Sequence, residues 1–314
     1  MANAGKNSVG LDLSRFSGFA DEAGDTIQEQ IKATKELGWT KIEARNISGK
    51  NLTDIDESAF KDVESALKAD GIAIDCFGSA VANWAKDPRK EEDFKLSIAE
   101  LERALPRMKR LGTKYIRGMS FCAVKDARPD SADIEDSVVR KLKVLAKMCQ
   151  DAGVMYLHEN CANFGGLSWE HSLRLAERIG SPAFKLIFDT GNPLGTYDRR
   201  GKPWQLQNSM EFYTHVQHLV ERIHVKDGFF IEPTETVFNK MNYTFPGEGA
   251  GQVQEIVAAA EKSGFKGTYS MEPHMATVYH EVNGQKQALS RFDTYVEYGR
   301  RFMSLFQKAA GAAR

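Results

Sequence analysis

Long apolar runs are missing from this chain. None approaches the roughly 20 residues that a bilayer-spanning helix needs, which argues against a helical membrane protein. An excess of charge is missing too: 42 Lys and Arg face 43 Asp and Glu, a formal net of −1. That balance argues against a nucleic-acid partner held mainly through phosphates. Cysteine is scarce, and Cys76, Cys122, Cys149 and Cys161 show no CxxC spacing, so neither a zinc site nor a disulfide framework is indicated. No GxGxxG follows an early strand candidate, which removes the dinucleotide-binding signature. No GxxxxGK loop occurs either, so a phosphorylated substrate has little support. The opening stretch MANAGKNSVGLDLS lacks the apolar core of a signal peptide, and the expectation is a cytoplasmic enzyme.

What is present is a repeat. In a chain of 314 residues, 42% apolar and 27% charged, a short apolar strand, a polar loop and an amphipathic helix recur from residue 15 to residue 310. Strand candidates are Arg15–Ala20, Thr40–Ala44, Ile72–Phe77, Lys114–Met119, Val154–Glu159, Phe184–Asp189, Arg222–Lys226 and Thr268–Glu272. Helix candidates fall at 25–37, 56–70, 92–111, 133–152, 168–179, 207–221, 251–263 and 288–308. Gly38, Gly71, Gly112, Gly153, Gly180 and Gly264 stand just past the last turn of six of them, where glycine accepts a left-handed ending. Parallel neighbours need crossover helices, so eight alternations imply a closed barrel. The expected architecture is a single (β/α)8 TIM barrel over 15–310. A flexible tail at 1–14 precedes it, and the AAGAAR end is expected to fray. The stretch 229–245, FFIEPTETVFNKMNYTF, makes a long loop after strand seven, and long ordered loops at that face tend to be lids or binding surfaces.

Chemistry concentrates at four strand ends. Glu159, Asp189, His224 and Glu272 each close an apolar run, in YLHEN, LIFDTGN, RIHVKD and YSMEPH. Strand side chains alternate in direction. Arg222, His224 and Lys226 therefore share one face, Thr268, Ser270 and Glu272 another, and Asp189 goes with Ile187. The polar members point into the barrel mouth, where a (β/α)8 enzyme keeps its active site. Crowded inward acids carry a heavy desolvation cost unless a cation lies among them. Oxygen-rich ligation with one imidazole suits Mn²⁺ first, with Mg²⁺, Co²⁺, Fe²⁺ or Zn²⁺ as alternatives. Taken singly, each residue is an ordinary charge at a loop edge; the constellation favours metal.

The segments HEN at 158–160, FDTGNP at 188–193, IHVKDG at 223–228, PGEGAG at 246–251 and SMEPHM at 270–275 carry a family likeness. The chain resembles the xylose isomerase-like TIM barrels, a group of sugar phosphate isomerases and epimerases that includes ketose 3-epimerases, hydroxypyruvate isomerase and inosose-processing enzymes. The resemblance covers nearly the whole chain. It implies that Glu159, Asp189, His224 and Glu272 hold one divalent metal, and that a keto-sugar or related polyol is the substrate. It further implies isomerisation or epimerisation by proton transfer through a metal-stabilised enediolate, with Glu159 and Glu272 exchanging the proton from opposite sides. Two departures stand out. Asn192 occupies a position where ketose 3-epimerases carry histidine, and Lys226 with Asp227 follows the metal histidine where they carry arginine. Both shift the expectation from a free ketohexose towards an oxidised sugar, a cyclitol or a glycoside.

Other residues have two readings each. His158 is a base beside a ligand or a hydrogen-bonded structural histidine. Lys226 holds a substrate oxygen or pairs with Asp227. Arg117 grips a hydroxyl or braces a carboxylate. Glu43 and Arg45 share a face at the end of strand two and pair with each other. Glu248 contacts sugar hydroxyls or is a turn acid. Asn192, His274 and Trp84 complete the candidate substrate contacts, although His274 and Trp84 are residue types more often found packed.

The same enolate chemistry permits an alternative, β-elimination from a 3-keto-glycoside. The catalytic subunit of bacterial C-glycoside deglycosidases resembles this pattern, which would promote His158 to base and imply a small second subunit; a homo-oligomer is the other expectation. A metal- or sugar-binding subunit without turnover is a third reading. The barrel is shared with three-zinc apurinic endonucleases, but those need histidines from early strands and this chain has none before His158.

Overall fold

The computed structural model describes residues 11–125, 128–198, 203–234, 239–276 and 289–312. Most of the expected N-terminal tail, the last two residues and the centre of the long loop lie outside these ranges.

Eight short strands form one all-parallel sheet: β1 Phe16–Gly18, β2 Lys41–Ala44, β3 Ala73–Gly78, β4 Tyr115–Gly118, β5 Met155–Glu159, β6 Phe184–Asp189, β7 Val220–Val225 and β8 Thr268–Met271. Each pairs with its sequence neighbour from β2 to β8, and β8 pairs with β1. A parallel bridge between Phe19 and Glu43 brings β1 back to β2 and nearly closes the ring. The helices are α1 Ile27–Glu36, α2 Glu57–Asp70, α3 Glu91–Leu111, α4 Ala132–Asp151, α5 Trp169–Ile179, α6 Ser209–Val216, α7 Val253–Lys262 and α8 Arg291–Ala312. This is the single (β/α)8 barrel that the repeat implies.

Local chemistry sets the helix ends. Thr26 and Glu29 satisfy each other's backbone N–H groups at the start of α1. Asp56, Ser168 and Asn208 cap α2, α5 and α6 in the simpler way. All six C-terminal glycines singled out in the sequence have φ between 64° and 80°, a region that penalises any Cβ.

The alternation on the strands sorts side chains as expected. Ile223, Val225, Tyr269 and Met271 join the buried core between sheet and helices. Phe302 and Phe306 of α8 pack edge-on against Phe16, and Trp39 stacks on that ring, so α8 seals the seam between β1 and β8.

Two elements differ from the sequence expectation. The helix expected at 207–221 stops at Val216, continues as a 3-10 turn over Gln217–Leu219, and gives way to β7 at Val220. Val220 pairs with Leu186 across a register irregularity, so sheet pairing wins over helix there. The stretch after β7 is a hairpin and not an open loop: Asp227–Glu232 runs antiparallel to Lys240–Thr244. Among the described residues, no helix is long and apolar enough to cross a membrane.

Candidate metal centre

Glu159 ends β5, Asp189 ends β6, His224 is the penultimate residue of β7 and Glu272 follows β8. His224 stands in register with Asp189 on one side and Ser270 on the other. All four side chains are buried, and their donor atoms lie within 4.8 Å of one another. A cluster of this composition can bind a divalent metal.

Basic groups surround the acids. Arg117 Nη1 donates to Glu159 Oε2 at 3.2 Å. Arg45 Nη1 donates to Glu272 Oε1 at 2.7 Å, and its other nitrogens reach Asp21 and Glu22. Lys226 Nζ donates to Glu272 Oε2 at 2.8 Å and stands 3.1 Å from Asp189 Oδ2. The Phe19 ring underlies both arginines, 4.4 Å from the Arg45 guanidinium carbon and 5.1 Å from that of Arg117, an arrangement that favours desolvated cations.

Three observations fit this donor set to a divalent ion. Asp189 Oδ2 is buried and, among the described residues, meets the Lys226 ammonium at 3.1 Å without a well-directed hydrogen bond, while Asp189 Oδ1 is fixed by the N–H groups of Gly191 and Asn192. Burial drives this carboxyl up to about 6, against the pull of Lys226. The second observation is His224, whose Nδ1 lies 3.2 Å from Glu159 Oε1 and whose Nε2 lies 3.1 Å from Glu43 Oε2. Burial works to lower its pKa, yet the two carboxylates lift it to about 10; a cation held by this cluster would take over the role of that extra proton. The third is Glu43 itself. A carboxylate behind the distal nitrogen of a histidine ligand is the usual device for fixing its tautomer and ring orientation. Glu22, Glu272 and His274 also cluster closely, but the Arg45 guanidinium already bridges two of them.

Glu159, Glu272, Lys226, Arg117, Asn192, His274 and Trp84 line one cavity of about 260 Å³ at the barrel mouth. Asn192 Nδ2 donates to the Asn160 carbonyl at 2.9 Å and lies 3.4 Å from Glu159 Oε1. His274 is held at φ 53° by Glu22, which accepts from its backbone N–H at 2.7 Å and lies 3.0 Å from Nδ1. A left-handed histidine costs on the order of 1–3 kcal/mol and survives only where its surroundings over-determine it.

Two candidates are not brought to this cavity. His158 obeys strict alternation: it turns outward, 2.9 Å from Ser120 Oγ and against Phe184. Burial lowers its pKa to about 4. Glu248 lies on the outer surface, where it accepts from Arg301 Nη1 of α8 at 2.7 Å. The glycines around it serve Asp227 instead, whose carboxylate accepts from the N–H groups of Gly228, Gly247, Gly249 and Gly251. A Cβ on Gly249 would fall 2.2 Å from Asp227 Oδ1, so PGEGAG is a loop wrapped on an acid. Asp227→Ala is therefore expected to lower unfolding stability by about 2 kcal/mol or more, because it strands several buried N–H groups. Urea melts check this, and Glu248→Ala should leave both stability and kcat/KM within about two-fold.

Two pairings weighed from sequence are also corrected. Lys226 turns inward to Glu272 and does not pair with Asp227. Glu43 and Arg45 do not pair with each other: Glu43 goes to His224 and Arg222, and Arg45 to Asp21, Glu22 and Glu272. Sequence reading passed over Phe19, Asp21 and Glu22, although FADE directly follows β1 at a strand's C-terminal end. Asn46, in a short hairpin after β2, and Ser79 and Asn83, in the loop after β3, line the cavity as well and carried no signal in the sequence.

Comparison with known proteins agrees with this architecture. No curated protein matches the chain by sequence. Among solved structures, a D-tagatose 3-epimerase-like protein superposes with a TM-score of 0.70 at 14% identity, over 96% of this chain and 100% of that one. A xylose isomerase-like TIM barrel protein from Mycobacterium smegmatis in complex with magnesium gives 0.66 at 13% identity, over 95% and 97%. The 3-keto-D-glucoside 4-epimerase of E. coli gives 0.63 at 16% identity, over 92% and 98%. At such identities the likeness is one of fold. The family model for the xylose isomerase-like TIM barrel matches residues 31–295, and the chain belongs to that family.

Proposed function

We propose that this protein is a divalent-metal-dependent isomerase or epimerase of a keto-sugar or related polyol. One observation carries the reading: two buried glutamates, Glu159 and Glu272, line the same cavity from β5 and β8, each with one oxygen braced by an arginine. Structural neighbours that are themselves epimerases add support. The ligands would be Glu159, Asp189, His224 and Glu272, with Mn²⁺ the first choice. A bound divalent ion supplies Lewis-acid chemistry, polarising a carbonyl and acidifying the neighbouring carbon.

The residues do the rest. Arg117 and Arg45 fix the two carboxylates in place, so that one glutamate takes the proton next to the carbonyl and the other returns one. Lys226 offers its ammonium to the substrate oxygen where negative charge develops. Asn192, Trp84 and His274 position hydroxyl groups and wall the cavity. β-Elimination from a 3-keto-glycoside begins with the same proton abstraction. With His158 turned away, the base in that case would again be one of the two glutamates.

The test is NMR in D₂O on metal-loaded protein with a panel of ketoses and 3-keto-glucosides. Deuterium entering next to the carbonyl of an intact sugar supports the isomerase; release of the aglycone makes the enzyme a lyase; neither outcome sinks both. Metal itself gives a simpler readout. Mn²⁺ at about one hundred times its Kd adds about 2.7 kcal/mol to stability, a rise in Tm of about 5 °C for a chain of this size. Asp189→Asn is expected to abolish most of that rise.

A further inference from the structure

Beside the metal cavity lies a second cavity that the chemistry above does not use. Its volume is again about 260 Å³, and Cys161 walls both. The chain links them a second time through the turn Asn192–Gly195, which gives Asn192 to the first cavity and Gly195 to the second. Cys161 therefore stands between the first cavity, with Glu159 and Glu272, and the second chamber.

The lining sets what fits. Ala123, Ala162 and Leu167 make an apolar wall, and Tyr197 and Trp204 add aromatic faces. The hairpin Tyr197–Asp198 with Gln205–Leu206 holds the two aromatic residues together, and Trp204 is 42% exposed. Three polar side chains of the wall, Asn163, Asn239 and Thr196, are engaged in holding the loops. Asn163 accepts from Ser120 and Gly166 and donates to the Glu159 carbonyl. Asn239 donates to the Gly195 carbonyl, and Thr196 Oγ1 accepts from Gln207 and donates to the Asn192 carbonyl. A second sugar ring needs several hydrogen-bonding groups turned towards it, and these three are spent on the loops. An apolar ring needs none. A dry cavity of about 150 Å³ already accepts benzene, so this one has room for a substituted ring. Among the described residues the lining contains no carboxylate and one cation, Lys125, which suits an acidic substituent on that ring.

We infer that the second cavity receives an aromatic ring carried by the substrate, so that the natural substrate is an aryl-substituted keto-glycoside and not a free sugar. The inference rests on the keto-sugar reading of the metal cavity. Titration calorimetry on Mn²⁺-loaded protein compares 4-nitrophenyl and methyl β-D-glucopyranoside. The aryl glycoside is expected to bind about ten-fold more tightly or better, as a stacked, buried ring provides. Ala123→Trp fills the chamber and Trp204→Ala removes its aromatic face. Each should bring the ratio within about two-fold while leaving the methyl glycoside unaffected. Equal affinities in the unmodified protein, or a preference that survives both substitutions, overturn the inference. Deuterium exchange into the corresponding 3-keto-glucosides separates the two ideas. An aryl preference with no exchange into either sugar leaves the ring site standing and the keto-sugar reading refuted. Exchange into both with no aryl preference refutes the ring site alone.

Discussion

Glu159→Gln and Glu272→Gln are each expected to lower kcat on an accepted keto-sugar by about 10³-fold, within the usual range for losing a positioned acid–base group. The amide keeps an oxygen at the ligand position, so metal still binds at saturating concentration, but it cannot take up a proton. The two variants should also differ from each other. If the glutamates serve opposite faces of the substrate, each variant loses net epimerisation yet still exchanges deuterium into the epimer whose proton faces the remaining glutamate. Mass spectrometry of recovered substrate reads this directly. Full turnover with metal bound in either variant would refute the assignment. Arginine geometry explains why the substitution is also a structural cost: Arg117 and Arg45 are buried, and besides Glu159 the Arg117 guanidinium donates from Nη2 to the Ser79 carbonyl at 3.2 Å. Melting curves recorded beside the kinetics separate that cost from the chemical one.

The four candidate ligands were legible because strand parity is strict and each ended an apolar run. The barrel was legible for a related reason: a period of two alternating with a period of 3.6 leaves few other architectures. What failed to show in the sequence depends on direction at the ends of elements. His158 looked ambiguous because alternation loosens at a last strand residue, yet Gly165 crowds its ring from the outer side and a Cβ there would fall 2.4 Å from Cε1. Glu248 looked functional because glycines framed it, whereas those glycines exist to let four backbone N–H groups converge on Asp227. Glu43 is on β2 and Arg45 just past its end, two residues on, which made a mutual pair the simple reading. A register irregularity between Ile42 and Glu43 and partners from β1, β7 and β8 decide otherwise. Long-range ion pairing of this kind has no local signature.

Glu43 is the residue through which the barrel interior acts on the candidate metal centre, and Glu43→Gln is expected to weaken Mn²⁺ affinity about 10- to 100-fold without touching a ligand. The reason is a chain of contacts running inward from the mouth. His224 Nε2 lies 3.1 Å from Glu43 Oε2, Arg222 Nη1 donates to that same oxygen at 3.2 Å, and Arg222 Nη2 donates to Asp75 at 2.7 Å. Burial opposes charge on Glu43, but His224 and Arg222 outweigh it and hold the carboxyl far below its ordinary range. The ionised group therefore accepts from the ring on one side and from the guanidinium on the other, which would leave Nδ1 for a bound metal. Glutamine keeps one acceptor oxygen and turns a donor towards Arg222, so the ring loses its fixed orientation. Arg222→Met acts one step further in. It strands Glu43 and Asp75 in the barrel interior and should cost about 3–5 kcal/mol of stability, the usual penalty for breaking a buried pair. Calorimetric titration with Mn²⁺ and denaturant melts on both variants distinguish the effects: affinity falls first in Glu43→Gln, stability first in Arg222→Met. Wild-type metal affinity in Glu43→Gln would mean that His224 is oriented by packing against Phe19 alone, whose ring centroid lies 5.1 Å away.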